Sequence, residues 1–272
     1  MNASSESGAP AIEASALTRR FGALTAVDRV DLAVRPGEIF GLLGANGAGK
    51  STMMKMLTTL LPPSSGSARV GGFDIVREPA AVRRRIGYVP QLLSADGALT
   101  GFENLRLSAE LYGLPRSERA ERIGDALGFM GLADAARKLV RTYSGGMVRR
   151  LELAQAMLHR PAILFLDEPT IGLDPVARHS VWDRLRDLKS DYGMTVLITT
   201  HDMEEAEALC DRIAILHTGR VAVVGRPDEL RGALGPEATL DEVFAHYAGG
   251  GIAEGGDFAG TVRTRRTVRR LG

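Results

Sequence analysis

The chain has 272 residues, carries 34 basic against 33 acidic side chains for a net charge of +1, and is 44% hydrophobic and 25% charged. That composition suits a globular protein with one large α/β domain or two small ones. It supplies no basic excess for nucleic-acid phosphates, no apolar run near the ~18 residues of a membrane span, and only Cys210, so no intramolecular disulfide.

In chain order, residues 1–10 are Ser-, Gly- and Ala-rich and are expected to be disordered. The first twenty residues hold Glu6 and Glu13 and lack the apolar stretch of a secretory signal, so a reducing cytoplasmic location is expected. Strand character begins at Ala11, and Val30, Leu32 and Val34 alternate with Asp31, Ala33 and Arg35 before a Pro36-Gly37 turn. Residues 39–43 read as a buried strand, and 50–61 as a helix ended by Pro62-Pro63-Ser64-Ser65-Gly66. Short strands flank Gly71-Gly72, and another is expected at 86–90. From about 100 to 138 the apolar residues, among them Leu105, Ala109, Ile123 and Leu127, recur at helical spacing, which predicts a helical insert. Strands at 163–166, 195–199, 212–216 and 221–224 then alternate with helices at 176–189 and 203–209. The alternation predicts a largely parallel sheet with helices on both faces. Leu240, Val243, Phe244 and Tyr247 mark a short amphipathic helix that Gly249-Gly250-Gly251 ends. The tail that follows is rich in arginine and reads as solvated, or as weakly attracted to anionic lipid.

Three segments carry chemistry. Gly44-Ala45-Asn46-Gly47-Ala48-Gly49-Lys50-Ser51 follows an apolar strand and opens a helix. Glycines at this spacing let backbone N–H groups converge on phosphate oxygens, and the helix adds its positive end. Lys50 places a charge on the β- and γ-phosphates, and Ser51 can ligate Mg²⁺. The apolar strand at 163–166 ends in Asp167 and Glu168. Adjacent acids there call for a cation: Asp167 suits Mg²⁺, and Glu168 suits a general base acting on water. Ser144-Gly145-Gly146 before a helical stretch at 148–159 is either a second anion site or simply an N-capped helix start.

With these motifs the chain resembles the ATP-binding cassette family, the nucleotide-binding subunits of ABC transporters, over about residues 12–224. Residues 44–51 look like the Walker A loop, 163–168 like Walker B, and Ser144-Gly145-Gly146 like the family signature. Gln91 is similar to the Q-loop glutamine, Gly172-Leu173-Asp174 to the D-loop, His201 to the switch histidine, and Phe21 to the aromatic that stacks adenine. The resemblance implies ATP and Mg²⁺ as cofactors, with Thr52 joining Gly44, Asn46, Gly47, Gly49, Lys50 and Ser51 around the nucleotide. Gln91 would join Ser51 and Asp167 near the metal, act with Glu168 and His201 in catalysis by sensing the attacking water, and relay to a permease, and His201 would hold the γ-phosphate and orient Glu168. Ser144, Gly145, Gly146 and Asp174 would act across a dimer interface.

The implied fold is an α/β P-loop cassette over residues 11–230, with a mostly parallel core, an antiparallel β subdomain and a helical subdomain at about 92–160. A C-terminal extension at 231–250 and a Gly/Arg-rich tail at 251–272 would follow. The implied partners are a separate integral-membrane permease and a second ATPase subunit, identical or closely related, at the cytoplasmic face of the membrane; no nucleic acid is expected. One departure is Met147, where the common signature has Gln. Tyr143-Ser144-Gly145-Gly146-Met147 followed by arginines is similar to the drug-export branch, the daunorubicin/doxorubicin-resistance ATPases. That likeness favours export of a drug, antibiotic or lipid over import or a non-transport role on ribosomes or nucleic acid.

Overall fold

Two sheets order the chain. In the computed structural model, which describes residues 9–248, β1 (Ile12–Phe21) and β2 (Leu24–Val34) pair as an antiparallel hairpin. Gly22 turns the hairpin with φ 56°. β3 (Ile39–Leu43) leads through residues 44–49 into α1 (Lys50–Leu57). β4 (Ser65–Val70) and the two-residue β5 (Phe73–Asp74) complete the first sheet in the order β2-β1-β4-β5. Then come α2 (Pro79–Arg85), β6 (Ile86–Val89), and the helices α3 (Gly101–Leu111), α4 (Arg116–Phe129) and α5 (Gly145–Met157). β7 (Ile163–Asp167), α6 (Pro175–Tyr192), β8 (Thr195–Thr200), α7 (Met203–Leu209), β9 (Arg212–His217) and β10 (Arg220–Gly225) follow. α8 (Pro227–Leu234) and α9 (Leu240–Ala248) end the described chain.

The second sheet has the order β10-β9-β3-β8-β7-β6, with every pairing parallel except the antiparallel edge strand β10. Its central strands β3, β7 and β8 are buried at every residue and rich in apolar side chains, because both faces are covered. Ile39 and Leu43 of β3, with Leu164 and Leu166 of β7, pack into a core shared with the helices around Trp182. Phe40 and Leu42, with Ile163 and Phe165, face a second core toward α1 and the first sheet. The period of two along each strand thus serves two cores.

The parallel α/β architecture agrees with the sequence expectation, and the boundaries differ locally. The helix expected over 50–61 stops at Leu57, because Thr59 adopts a left-handed φ of 64° and the N–H groups of Leu60 and Leu61 both return to the Lys55 carbonyl. The helix expected at 176–189 runs from Pro175 to Tyr192, where Gly193 ends it with φ 59°. α2 and α8 had no counterpart in the sequence reading. In α9, Leu240 and Val243 are buried, and Phe244 and Tyr247 pack against the same core. Residues 1–8, the glycines 249–251 and the arginine-rich tail lie outside the described residues. No helix among the described residues is long and apolar enough to cross a membrane.

Candidate active site

Four neighbouring parallel strands, β3, β8, β7 and β6, deliver their carboxyl ends to one edge of the sheet, where ligand sites of open α/β sheets form. Gly44 follows β3, His201 follows β8, Asp167 ends β7 with Glu168 next to it, and Gln91 stands two residues past β6. Glycine is required at two points of the loop. A Cβ on Gly44 would lie 2.7 Å from the Leu216 carbonyl oxygen; one on Gly49, whose φ is 106°, would lie 2.5 Å from that of Ala26. α1 has no side-chain cap and no acid in its first turn, so its N–H groups and dipole are directed at the loop. Asn46 and Gly47 are exposed on that loop, and Thr52 is half-buried in the first turn.

The Lys50 ammonium is buried. It donates to the carbonyls of Gly44 at 2.7 Å and Ala45 at 3.2 Å, and stands 3.4 Å from Glu168 Oε1. Glu168 Oε2 meets Gln91 Nε2 at 3.4 Å and His201 Nδ1 at 3.3 Å. One carboxylate therefore gathers the phosphate-loop lysine, the glutamine and the histidine. Its backbone is unusual too: Glu168 has φ 49°, held by its N–H donating to Thr199 Oγ1 at 3.0 Å. Asp167 Oδ1 accepts from Ser51 Oγ at 3.3 Å and Thr199 Oγ1 at 2.6 Å. Tyr88, on the adjacent strand, has its phenol pushed up to about 12, first by burial and then by the Asp167 carboxylate, so it stays protonated.

The remaining sequence candidates stand apart from this cluster. Phe21 is 45% exposed at the tip of the β1–β2 hairpin, with the Arg19 guanidinium over its ring at 4.6 Å. Ser144 caps α5 by accepting from the Met147 N–H at 3.3 Å, and Asp174 caps α6 by accepting from the Ala177 N–H at 2.9 Å. Ser144, Gly145 and Asp174 are all exposed. Two near approaches tie them together: an ideal Cβ on Gly145 would sit 3.3 Å from Leu173 Cδ2, and one on Gly146 2.7 Å from Ala177 Cβ. Among the described residues no hydrogen bond or ion pair joins Ser144–Gly146 or Asp174 to Lys50 or Glu168.

Sequence reasoning missed several members. Thr199 reaches both acids, yet a threonine in an apolar strand gives no signal. Glu205 of α7 is buried and accepts from Thr170 Oγ1 at 2.6 Å and Trp182 Nε1 at 3.1 Å. Arg149 and Glu152 form a buried ion pair in α5; their i,i+3 spacing was the available clue.

Residues 27–171 match the family described as ABC transporter. The chain is 48% identical over 225 residues to the daunorubicin/doxorubicin resistance ATP-binding protein of Streptomyces peucetius, covering 83% of this chain and 68% of that protein. It is 45% identical over 210 residues to the Nod factor export ATP-binding protein I of Cupriavidus metallidurans, covering 77% and 69% respectively. Among solved structures it resembles a dimeric ATP-binding cassette in a post-hydrolysis state bound to ADP and phosphate, with TM-score 0.70, 27% identity, and coverage of 79% of this chain and 98% of that one.

Proposed function

Because the chain belongs to the ABC transporter family of ATP-hydrolysing subunits, we propose that it drives export of a drug, antibiotic or lipid through a separate membrane permease. The names of its relatives support the cargo class, since they describe daunorubicin/doxorubicin resistance and Nod factor export. The observation that carries the mechanism is the convergence of Lys50, Gln91 and His201 on Glu168.

In this reading the 44–49 loop, the first turn of α1 through Thr52, and Lys50 hold the phosphates of ATP, while Phe21 stacks on its adenine. Ser51 Oγ and the Asp167 carboxylate are hard oxygens 3.3 Å apart and fit Mg²⁺. With Gln91 nearby, these residues would hold the ion, which would supply positive charge against the β- and γ-phosphates. Glu168 accepts the proton of the attacking water as its oxygen bonds to the γ-phosphorus and the β–γ bridging oxygen leaves with ADP. His201 holds the γ-phosphate and keeps Glu168 aimed. Ser144, Gly145, Gly146 and Asp174 of a second subunit close the far side of the nucleotide, which accounts for the exposure of Ser144, Gly145 and Asp174 on a single chain. Leu92 and Leu93 beside Gln91, and Leu111 on α3, are exposed apolar residues that suit contact with the permease at the cytoplasmic face of the membrane.

Glu168→Gln tests the assignment. Steady-state ATP hydrolysis should fall about 10²–10⁴-fold, the range for losing a general base, while ATP binding by equilibrium dialysis stays near the parental value. Parental turnover in the variant would overturn the role of Glu168. In inverted vesicles carrying the chain and its permease, ATP should drive doxorubicin inward, and outward movement would overturn export.

A further inference from the structure

Arg149 and Glu152 are two full charges inside α5, both with side chains 2% exposed. Burying an ion pair is a weak source of stability, because an apolar pair of similar volume does as well or better. The contacts suggest another purpose. Arg149 Nη1 reaches Glu152 Oε2 at 3.0 Å and donates to the Pro90 carbonyl at 2.8 Å, and Nη2 donates to the Gln91 carbonyl at 3.0 Å. Glu152 Oε1 accepts from the Ser94 N–H and from Ser94 Oγ at 3.1 Å. Every protein partner outside α5 thus belongs to the segment flanking Gln91. Its backbone is gripped on both sides, while its side chain is free to reach Glu168. The same helix is capped at its start by the Ser144 side chain, and Arg149 and Glu152 lie within about two turns of that cap.

We propose that Arg149 and Glu152 are positioning residues: a clasp that locks the Gln91 segment to α5, so that movement of the Ser144 end of the helix carries Gln91 with it. The planar guanidinium is suited to this, since it spans two successive carbonyls and a carboxylate at once, which an ammonium cannot do in fixed geometry. Engagement of Ser144–Gly146 by a second subunit's nucleotide then sets the position of Gln91 beside Glu168, and the adjoining exposed leucines transmit the shift. The inference rests on the roles given above to Gln91 and Ser144.

The test uses Arg149→Met/Glu152→Leu, which removes the clasp without leaving a lone buried charge, and Ser94→Pro, which removes the loop-side N–H and leaves α5 intact. A nitroxide is attached through Leu92→Cys, a site 81% exposed, while the native thiol Cys210 is buried. In the parent background, label mobility should change on adding ATP. In both clasp variants it should be high with or without ATP, and kcat should fall by about 10²-fold, the scale for a misplaced catalytic group, with the ATP dissociation constant within about twofold. Either variant, folded, with parental kcat and an ATP-responsive label overturns the clasp. So does a loss of ATP binding that parallels the loss of turnover, which would make the pair plain scaffolding. Gln91→Ala run alongside separates the two levels. If it turns over at the parental rate, the role of Gln91 falls; if it is impaired while the clasp variants are not, only the clasp falls.

Discussion

Glu205 sits in the first turn of α7, where a carboxylate ordinarily complements the helix dipole in water. Here it is 1% exposed, and burial is the main cause that raises its carboxyl above the ordinary value of 4.5; hydrogen bonds from Thr170, Thr200 and Trp182 oppose the rise without cancelling it. The folded protein therefore holds the proton more tightly than the unfolded chain. The stability this confers is complete below the unfolded pKa and is lost as pH rises through the folded one. Glu205→Gln removes the titration. The melting temperature of the variant should gain on that of the parent from pH 4.5 upward, measured by thermal unfolding across pH 4.5–8; a difference flat in pH would contradict the assignment. Nothing in the local sequence marks this residue, since Glu204 and Glu207 look the same on paper and only the tertiary fold brings Trp182 and Thr170 to one of them. Lys50 and Glu168 were legible for the opposite reason: each lies in a contiguous segment whose chemistry is local.

At the scale of elements, α5 and α6 meet where Gly146 faces Ala177. A Cβ at Gly146 would stand 2.7 Å from Ala177 Cβ, too near for two carbons, and neither helix backbone can yield cheaply. Gly146→Ala should cost about 1–3 kcal/mol, the range for overpacking a tight contact. Urea midpoints give the number, and Ala177→Gly in the same chain should recover part of it because the two sites couple directly. The strands of the parallel sheet were readable because burial on both faces demands unbroken apolar runs. The helices that escaped notice lack such a signal: α2 buries only Val82 and ends in Arg83, Arg84 and Arg85. Helix ends were obscured by backbone choices, as at Thr59. The register of β1 on β2 shifts three times between Ala14 and Arg20, and no alternation of residues could have foretold that. The Arg149–Glu152 pair escaped because the arginines after Met147 stood only as a likeness to the drug-export branch, and it is the tertiary fold that brings Pro90, Gln91 and Ser94 to them.

For the whole molecule, the site is divided. Lys50, Gln91, Glu168 and His201 converge on one sheet edge, whereas Ser144, Gly145 and Asp174 lie exposed on a flank fixed by the α5–α6 contact, with no bond between the groups. If both groups address the same triphosphate, the second set must come from another subunit, and a two-fold axis gives each subunit both halves. The flank also exposes Ile171 at 44% and Val176 at 80%, apolar side chains beside Asp174 that such an interface would cover. Glu168→Gln loaded with ATP should therefore sediment as a dimer, whereas the ATP-free protein should not. Adding Val176→Glu should shift the dimer midpoint to at least ~10²-fold higher concentration, because an unpaired carboxylate would be desolvated in each subunit at several kcal/mol and every 1.4 kcal/mol is tenfold. ATP binding to the monomer should stay within about twofold, since Val176 stands exposed at the start of α6 and outside the phosphate loop. Analytical ultracentrifugation across a concentration series decides it: a midpoint unmoved by the charge would place the interface elsewhere and leave Ser144 and Asp174 without the role given to them.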